Sequence, residues 1–392
     1  MEFPLGIWGR LVRPFRVLAP MEDVTDTVFR RIVQAAGAPD LFVTEFTSTD
    51  GLCSAGRPRV IGRLRYVPTE KPLLAQIWGN VPERYRQVAA ELRGMGFDGV
   101  DINMGCPVKK VVARGSCSAL IKNPSLAAEL IAAAREGAGE LPVSVKTRIG
   151  ISHSEAENWL GFLLSQGLAA LTVHGRTVSQ QSEGFADWNA VALAVRLRDE
   201  AGLPTRVVGN GDVRTPGDFW QRSRETGADG IMVGRGIFEN VFLFRAIAEG
   251  TGEKEFASLQ PAEKLAWFQR HIDLHEQTWG TSARFDVLKK FAKTYLRSFE
   301  GASRLVDAVM KTRTHAAARE VLASWLAAHA AGSRAPAASA GVVAAGAPAA
   351  ARAGGGPGLS RPARTSPRSR PAPPRRSGQS ARASSRSEPP GR

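Results

Sequence analysis

The sequence predicts an α/β chain: a (β/α)8 TIM barrel, then a C-terminal helical domain and a disordered basic tail. Three observations carry this. Eight short apolar or β-branched runs recur: RVLAP (16–20), LFVTEF (41–46), LLAQIW (73–78), GVDINM (99–104), VSVKTRI (143–149), LTVHG (171–175), RVVGNG (206–211) and GIMVGR (230–235). Helical patterns lie between most of them, and polar or glycine-rich residues close each run. Strands alternating with helices make βα units and a parallel sheet, and near-continuous apolar runs suit strands covered on both faces. Eight such units over roughly 220 residues match a barrel, typically about 250 residues long. A doubly wound sheet is the rival, weakened because no GxGxxG follows the first strand.

The helices follow in order. They are VPERYRQVAAELRGMG (81–96), NPSLAAELIAAAREGAG (123–139), SEAENWLGFLLSQG (154–167) and TPGDFWQRSRETG (215–227). Ser154 and Thr215 are expected N-caps, with Pro216 at a first helical position. Gly96, Gly137, Gly167 and Gly227 are expected to end their helices. After about residue 255 the pattern turns helical without strands. In FDVLKKFAKTYLRSF (285–299), Lys289, Lys293 and Arg297 fall at i, i+4 and i+8 on one face, and Lys311 and Arg313 follow. The expected division is therefore a barrel over 1–250, a basic helical domain over 255–330 and a tail over 333–392.

Charge is unevenly spread. The chain carries +15, and residues 333–392 supply ten of those charges through eleven arginines against the single acid Glu388. That Ala/Pro/Gly/Ser/Arg segment has too little apolar surface to offset its ordering entropy, so disorder is expected. Its arginines suit nucleic acid bound without sequence preference, and equally a solubilising tail. Three cysteines (Cys53, Cys106, Cys117) without a CxxC make no disulfide framework and fit a reducing, cytoplasmic setting. No apolar run of about 18 residues predicts a membrane span. Arg10, Arg13 and Arg16 precede no uninterrupted apolar run, against a signal peptide.

In a barrel the polar strand ends share one face, where active sites are built. They are Pro20-Met21-Glu22-Asp23, Glu45, Gln76, Asn103 with Cys106, Lys146 with Arg148, His174 with Arg176, Asn210-Gly211-Asp212 and Gly234-Arg235. GNGDV and GRG, after the seventh and eighth strands, suit a phosphate held by backbone N–H groups, with Arg235 as a clamp. Lys146 inside an apolar strand needs a reason, because an unpartnered buried charge is costly. An anionic ring or phosphate-bearing cofactor is one, a Schiff base another. Gln76 and His174 can bond a heteroaromatic rim, and Arg176 points the same way as His174. Cys106, between Gly105 and Pro107, is open to four readings: buried filler, redox thiol, metal ligand or catalytic acid. No HxxxH or CxxC supports a metal, and no GxSxG supports a serine hydrolase.

Taken together, LAPMEDVTD (18–26), LLAQIWG, DINMGCPVKKV, SVKTRIG, LTVHGRT, GNGDV and GIMVGRG resemble the tRNA-dihydrouridine synthases, over roughly residues 15–320. The resemblance implies a cytoplasmic oxidoreductase acting on a CH–CH bond, with FMN as cofactor, NADPH as reductant and tRNA as partner. No metal or membrane is implied, and a monomer is expected. Pro20, Met21 and Glu22 would line the flavin, Gln76 and Lys146 would contact its ring, and His174 would lie nearby. Asn210, Gly211, Asp212, Gly234 and Arg235 would hold the ribityl-phosphate end. Asn103, Arg148 and Arg176 would contact substrate. Cys106 would be the acid, giving C5 of uracil a proton after flavin N5 gives C6 a hydride. A thiol with an ordinary pKa of about 8.5 is mostly protonated at neutral pH and suits that role. The uridine must flip out of the RNA fold. Two positions depart from the family pattern: Ser182 where Tyr is usual, and Cys117 where glycine is common. An FMN-dependent dihydroorotate- or dihydropyrimidine-type dehydrogenase acting on a free base is the alternative enzyme. A non-catalytic RNA-binding protein is the alternative of another class.

Overall fold

The computed structural model describes residues 5–250 and 258–332. The expected tail over 333–392 lies outside the described residues. Nine parallel strands occur: β1 (Phe15–Leu18), β2 (Phe42–Val43), β3 (Thr47–Ser48), β4 (Leu73–Trp78), β5 (Gly99–Met104), β6 (Val143–Arg148), β7 (Ala170–His174), β8 (Arg206–Asn210) and β9 (Gly230–Val233). They are ordered β1-β9-β8-β7-β6-β5-β4-β2, with β3 pairing only with β4. A parallel bridge between Val17 and Leu41 joins the two ends, so the sheet closes into an eight-stranded barrel. Each expected run is a strand of that barrel. The second is broken: Thr44, Glu45 and Phe46 separate β2 from β3.

Side chains alternate across each strand. Trp8, Phe15, Val17, Leu41, Val43, Leu74, Val208 and Met232 fill the barrel interior, with Trp8 on a short 3-10 turn (Gly6–Gly9) packed against Phe15. Ile77, Ile102, Val145, Val173 and Ile231 join the larger outer cluster with the surrounding helices. The apolar filling belongs to the amino-terminal part of the barrel, which leaves the carboxyl ends of the strands free for polar side chains.

The helices bear out most expected boundaries. Thr215 caps Pro216–Thr226 by accepting from the Asp218 N–H, and Gly227 ends that helix at φ +67°. Asn123 caps Pro124–Ala138 through the Leu126 N–H. Two expectations fail locally. Ser154 is one residue too early, because Ala156–Leu164 is flanked by Glu155 and has no side-chain cap. Gly137 lies inside its helix, and Gly139 at φ +62° ends it. The proposed basic face is also shorter than its periodicity suggested. Lys289–Tyr295 ends before Arg297 because Leu296 turns to ψ +71°, so only Lys289 and Lys293 share the helix.

The helical region comprises Pro261–Trp279, Lys289–Tyr295, Ala302–Lys311 and His315–Gly332. It packs on the barrel's first helix, Thr27–Gly37. Phe29 stacks on Phe291 at 4.8 Å and on His271 at 5.8 Å, and the Trp279 indole donates to Asp26 at 3.0 Å. Among the described residues, no helix is long and apolar enough to cross a membrane.

Candidate active site

Strand register assembles the polar residues. Gln76 pairs with Asp101, Asn103 with Lys146, Arg148 with His174, and His174 with Asn210. The pairs step up by two residues along β5 and again along β6, and those that line the cleft lie toward the carboxyl ends of their strands. They surround one cleft of about 280 Å³ at the carboxyl ends. Pro20, Met21, Gln76, Asn103, Cys106, Lys146, Arg148, His174, Arg176, Asn210, Gly211, Asp212, Gly234 and Arg235 all line it. Glu22 does not: it is exposed and pairs with Arg63 at 2.9 Å, because Asp23 at φ +58° turns the chain outward there.

A hydrogen-bond chain organises one wall. Asn103 donates to the Gln76 carbonyl at 3.0 Å, and Gln76 donates to Asp101 at 2.6 Å, which also accepts from Ser144 at 2.5 Å. Burial raises the Asp101 pKa, which these donors and Lys146 partly offset. Asp101 escaped the sequence reading, although it sits two residues before Asn103 on the same face and, like Lys146, is a charge in an apolar strand. The Asn103 carboxamide oxygen also accepts from the Gly105 and Cys106 N–H groups, both at 3.0 Å. This short turn sets the cysteine at the cleft.

The Cys106 thiol, 8% exposed, has its pKa lowered to about 7. The main cause is a hydrogen bond from the Cys117 thiol, aided by the Val108 N–H and Arg148 against burial and Glu22. The expected ordinary, mostly protonated thiol is thus corrected: a second thiol beside Cys106 stabilises its charge, which counts against an acid that must stay protonated and leaves about half the thiol protonated near pH 7. Burial and the same bond push the Cys117 thiol up.

Lys146 donates to the Asn210 oxygen at 3.1 Å. Burial, then Arg148, lowers its pKa to about 8. Arg148 donates to the Gly105 and Thr177 carbonyls, both at 2.8 Å, and burial lowers its pKa to about 10. Arg176 points inward to the protein. It donates to both Asp212 oxygens at 2.7 and 2.8 Å and to the Glu183 and Gly184 carbonyls, and it meets His174 Nε2 at 3.3 Å. Burial and then Lys146, Arg148, Arg176 and Arg235 depress the His174 pKa strongly, so the ring is neutral. Because Arg176 can only donate, His174 Nε2 accepts and Nδ1 carries the proton.

These cations face a single carboxylate among the lining residues, Asp212, which Arg176 occupies. The cleft therefore favours an anion. A Cβ on Gly234 would meet only Ala19, at 3.8 Å, and would stand in open cleft space. Arg235 is exposed, making one long contact to the Ser182 carbonyl at 3.4 Å. A glycine floor, an exposed arginine and a half-buried lysine with a neutral partner fit a ligand with both a phosphate and a heteroaromatic ring. Phe46, Gln181 and Arg214 also line the cleft and went unread. They sit in irregular loops, where no period marks them. Among the described residues, no group of three or more His, Cys, Asp or Glu is placed to hold a metal.

Fold and site together define a barrel enzyme with one cationic, thiol-bearing cleft at its carboxyl face. A family model described as "Dihydrouridine synthase (Dus)" matches residues 17–330. The chain belongs to this family and is an oxidoreductase. "Probable tRNA-dihydrouridine synthase 2" of Bacillus subtilis is 43% identical over 320 residues, covering 81% of this chain and 95% of that protein. A "Probable tRNA-dihydrouridine synthase" of Staphylococcus epidermidis is 42% identical over 320 residues, with the same coverage. Among solved structures, morphinone reductase in complex with tetrahydroNAD aligns with TM-score 0.44 at 15% identity, covering 64% of this chain and 90% of that one.

Proposed function

We propose that the protein reduces the C5–C6 double bond of uridines in tRNA to 5,6-dihydrouridine, using FMN and NADPH. The observation that carries this is the shared cleft, where Cys106, Asn103 and Lys146 face the glycine and arginine loops after β8 and β9. When bound and reduced by NADPH, FMN supplies the hydride for C6 of uracil. Gly211, Gly234 and Arg235 suit its phosphate end. Gln76, Lys146 and the His174 Nδ1–H suit its polar rim. Asn103, fixed by Gln76, would orient the uracil. Cys106 would give its proton to C5, and the resulting thiolate would regain one from solvent. A thiol pKa of about 7 lets the group both give and regain a proton near neutral pH.

The substrate's size argues for a surface beyond the cleft. A groove between barrel and helices carries Arg59 and Arg63 on one side and Arg284 and Lys290 on the other, with Asp23, Asp26 and Glu45 also lining it and Arg63 paired to Glu22. Such a groove suits RNA phosphates, read by shape. Phe185, 91% exposed on the loop past Ser182, offers a face on which an unpaired base can stack. The test is Cys106→Ala. The purified variant should keep its flavin absorbance and lose dihydrouridine formation on tRNA. Full turnover by that variant would remove Cys106 from the acid role.

A further inference from the structure

We infer that Cys106 and Cys117 form a reversible disulfide when the enzyme meets a hydroperoxide, which makes the pair an oxidative modification site. The two sulfurs share one small apolar cluster with Phe46, against which Trp78 and Val111 pack. Cys117 is fully buried and Cys106 opens to the cleft, so a small oxidant reaches one sulfur and not the other. The Ser118 hydroxyl donates to the Cys106 carbonyl at 2.8 Å, tying the turn Cys117–Lys122 to the loop after β5. Cys117 sits at φ +55°, in the left-handed region that glycine occupies without cost. A cysteine placed there against its backbone preference, in one buried cluster with Cys106, is positioned as a resolving thiol.

The chemistry balances in two steps. The Cys106 thiolate attacks the O–O bond of the hydroperoxide. An S–O bond forms, the O–O bond breaks, and the leaving alkoxide or hydroxide takes a proton from solvent and departs as alcohol or water while the sulfur is oxidised to sulfenic acid. Cys117 then attacks that sulfur. The S–S bond forms, and the sulfenic oxygen leaves as water with the Cys117 proton. A dithiol restores both cysteines. The ionised fraction of Cys106 makes the first step fast relative to Cys53, whose thiol burial pushes up. Loss of activity on oxidation rests on the acid role proposed for Cys106; the pairing itself does not.

The test treats the full-length, flavin-loaded enzyme with limiting hydrogen peroxide, then denatures and alkylates it. One of the three cysteines, Cys53, should be alkylated, with the Cys106 and Cys117 peptides linked. Turnover should be lost and fully restored by dithiothreitol. Cys117→Gly suits the local backbone and should fold. Its Cys106 should pass to sulfinic acid, seen by mass, and dithiothreitol should restore little of its lost activity. Three alkylated cysteines, a bond to Cys53, or equal recovery of wild type and variant would overturn the inference. A Cys106–Cys117 bond that leaves turnover intact would support the pairing and refute the acid role.

Discussion

At the residue scale, Arg176 shows how far a side chain's type falls short of its task. Sequence placed it toward substrate, since it follows His174 by two. It is 2% exposed, and its contacts run to Asp212, His174 and the loop carbonyls of Glu183 and Gly184. It therefore straps the loop that carries Ser182 and Phe185. Asp212, at φ +52°, likewise accepts from Arg176 and the Ala186 N–H, so both hold the loop while still lining the cleft. Removing one partner of a buried pair costs about 3–5 kcal/mol; Asp212 is partly exposed, so Arg176→Ala should cost about 2–3 kcal/mol in urea unfolding. Limited proteolysis should open the 177–186 loop. Unchanged stability with only a raised KM would return Arg176 to substrate contact. Cys106 gives a second prediction at this scale. An acid must be protonated, so dihydrouridine formation should decline as pH rises through about 7. Cys117→Gly removes the donated hydrogen bond and should move that limb upward, toward an ordinary thiol. A limb that stays in place would assign it to another group.

At the element scale, what was legible followed from periodicity and what was missed followed from packing. The eight barrel strands were readable because buried parallel strands are continuous apolar runs, and their ends were readable because polar residues there break the run. The capping role of Thr215 was readable from the local Thr-Pro pair. Gly137 was not, because its reason lies in another helix. A Cβ there would collide with the Arg86 carbonyl of helix Pro82–Gly94, so the glycine lets two helices touch backbone to backbone. Overpacking against a backbone cannot be relieved by a rotamer change. Gly137→Ala should therefore destabilise by about 2–3 kcal/mol, although alanine is the better helix former. A denaturant titration showing a gain would mean that the pair is looser than its geometry. Arg30 was also silent in sequence. Fully buried, it pairs with Glu70 at 2.6 Å and donates to the Thr25 and Arg65 carbonyls, fixing the irregular connection between β3 and β4.

At the scale of the whole molecule, the helices meet the barrel through groups whose charge states differ from those in the unfolded chain. Burial depresses His271 to about 3 and His275 to about 4, from an ordinary 6.5. His271 bonds the Tyr295 hydroxyl at 3.0 Å and His275 bonds His315 at 2.9 Å. The folded protein keeps both neutral while the unfolded chain takes up protons below 6.5. Their contribution is thus whole above 6.5 and is lost as pH falls toward 4. Glu45, in the groove between barrel and helices, has the opposite sign. Burial and then the Asp26 charge push its pKa from 4.5 to about 7, so it folds protonated. Its unfolded form ionises first, and the stability it contributes below 4.5 is lost as pH rises through about 7. The two effects oppose each other between 4.5 and 6.5, which makes wild-type Tm a poor guide to either. Single variants separate them. His271→Gln, which can still bond Tyr295, should flatten the acid limb of a Tm-versus-pH curve. Glu45→Gln should leave stability at pH 4 little changed and raise it at pH 8 on the order of 2 kcal/mol, since no buried carboxylate then has to ionise. A Glu45→Gln gain that is equal at both pH values would show that the carboxyl is solvated in the folded protein and that the groove is open to water at its base.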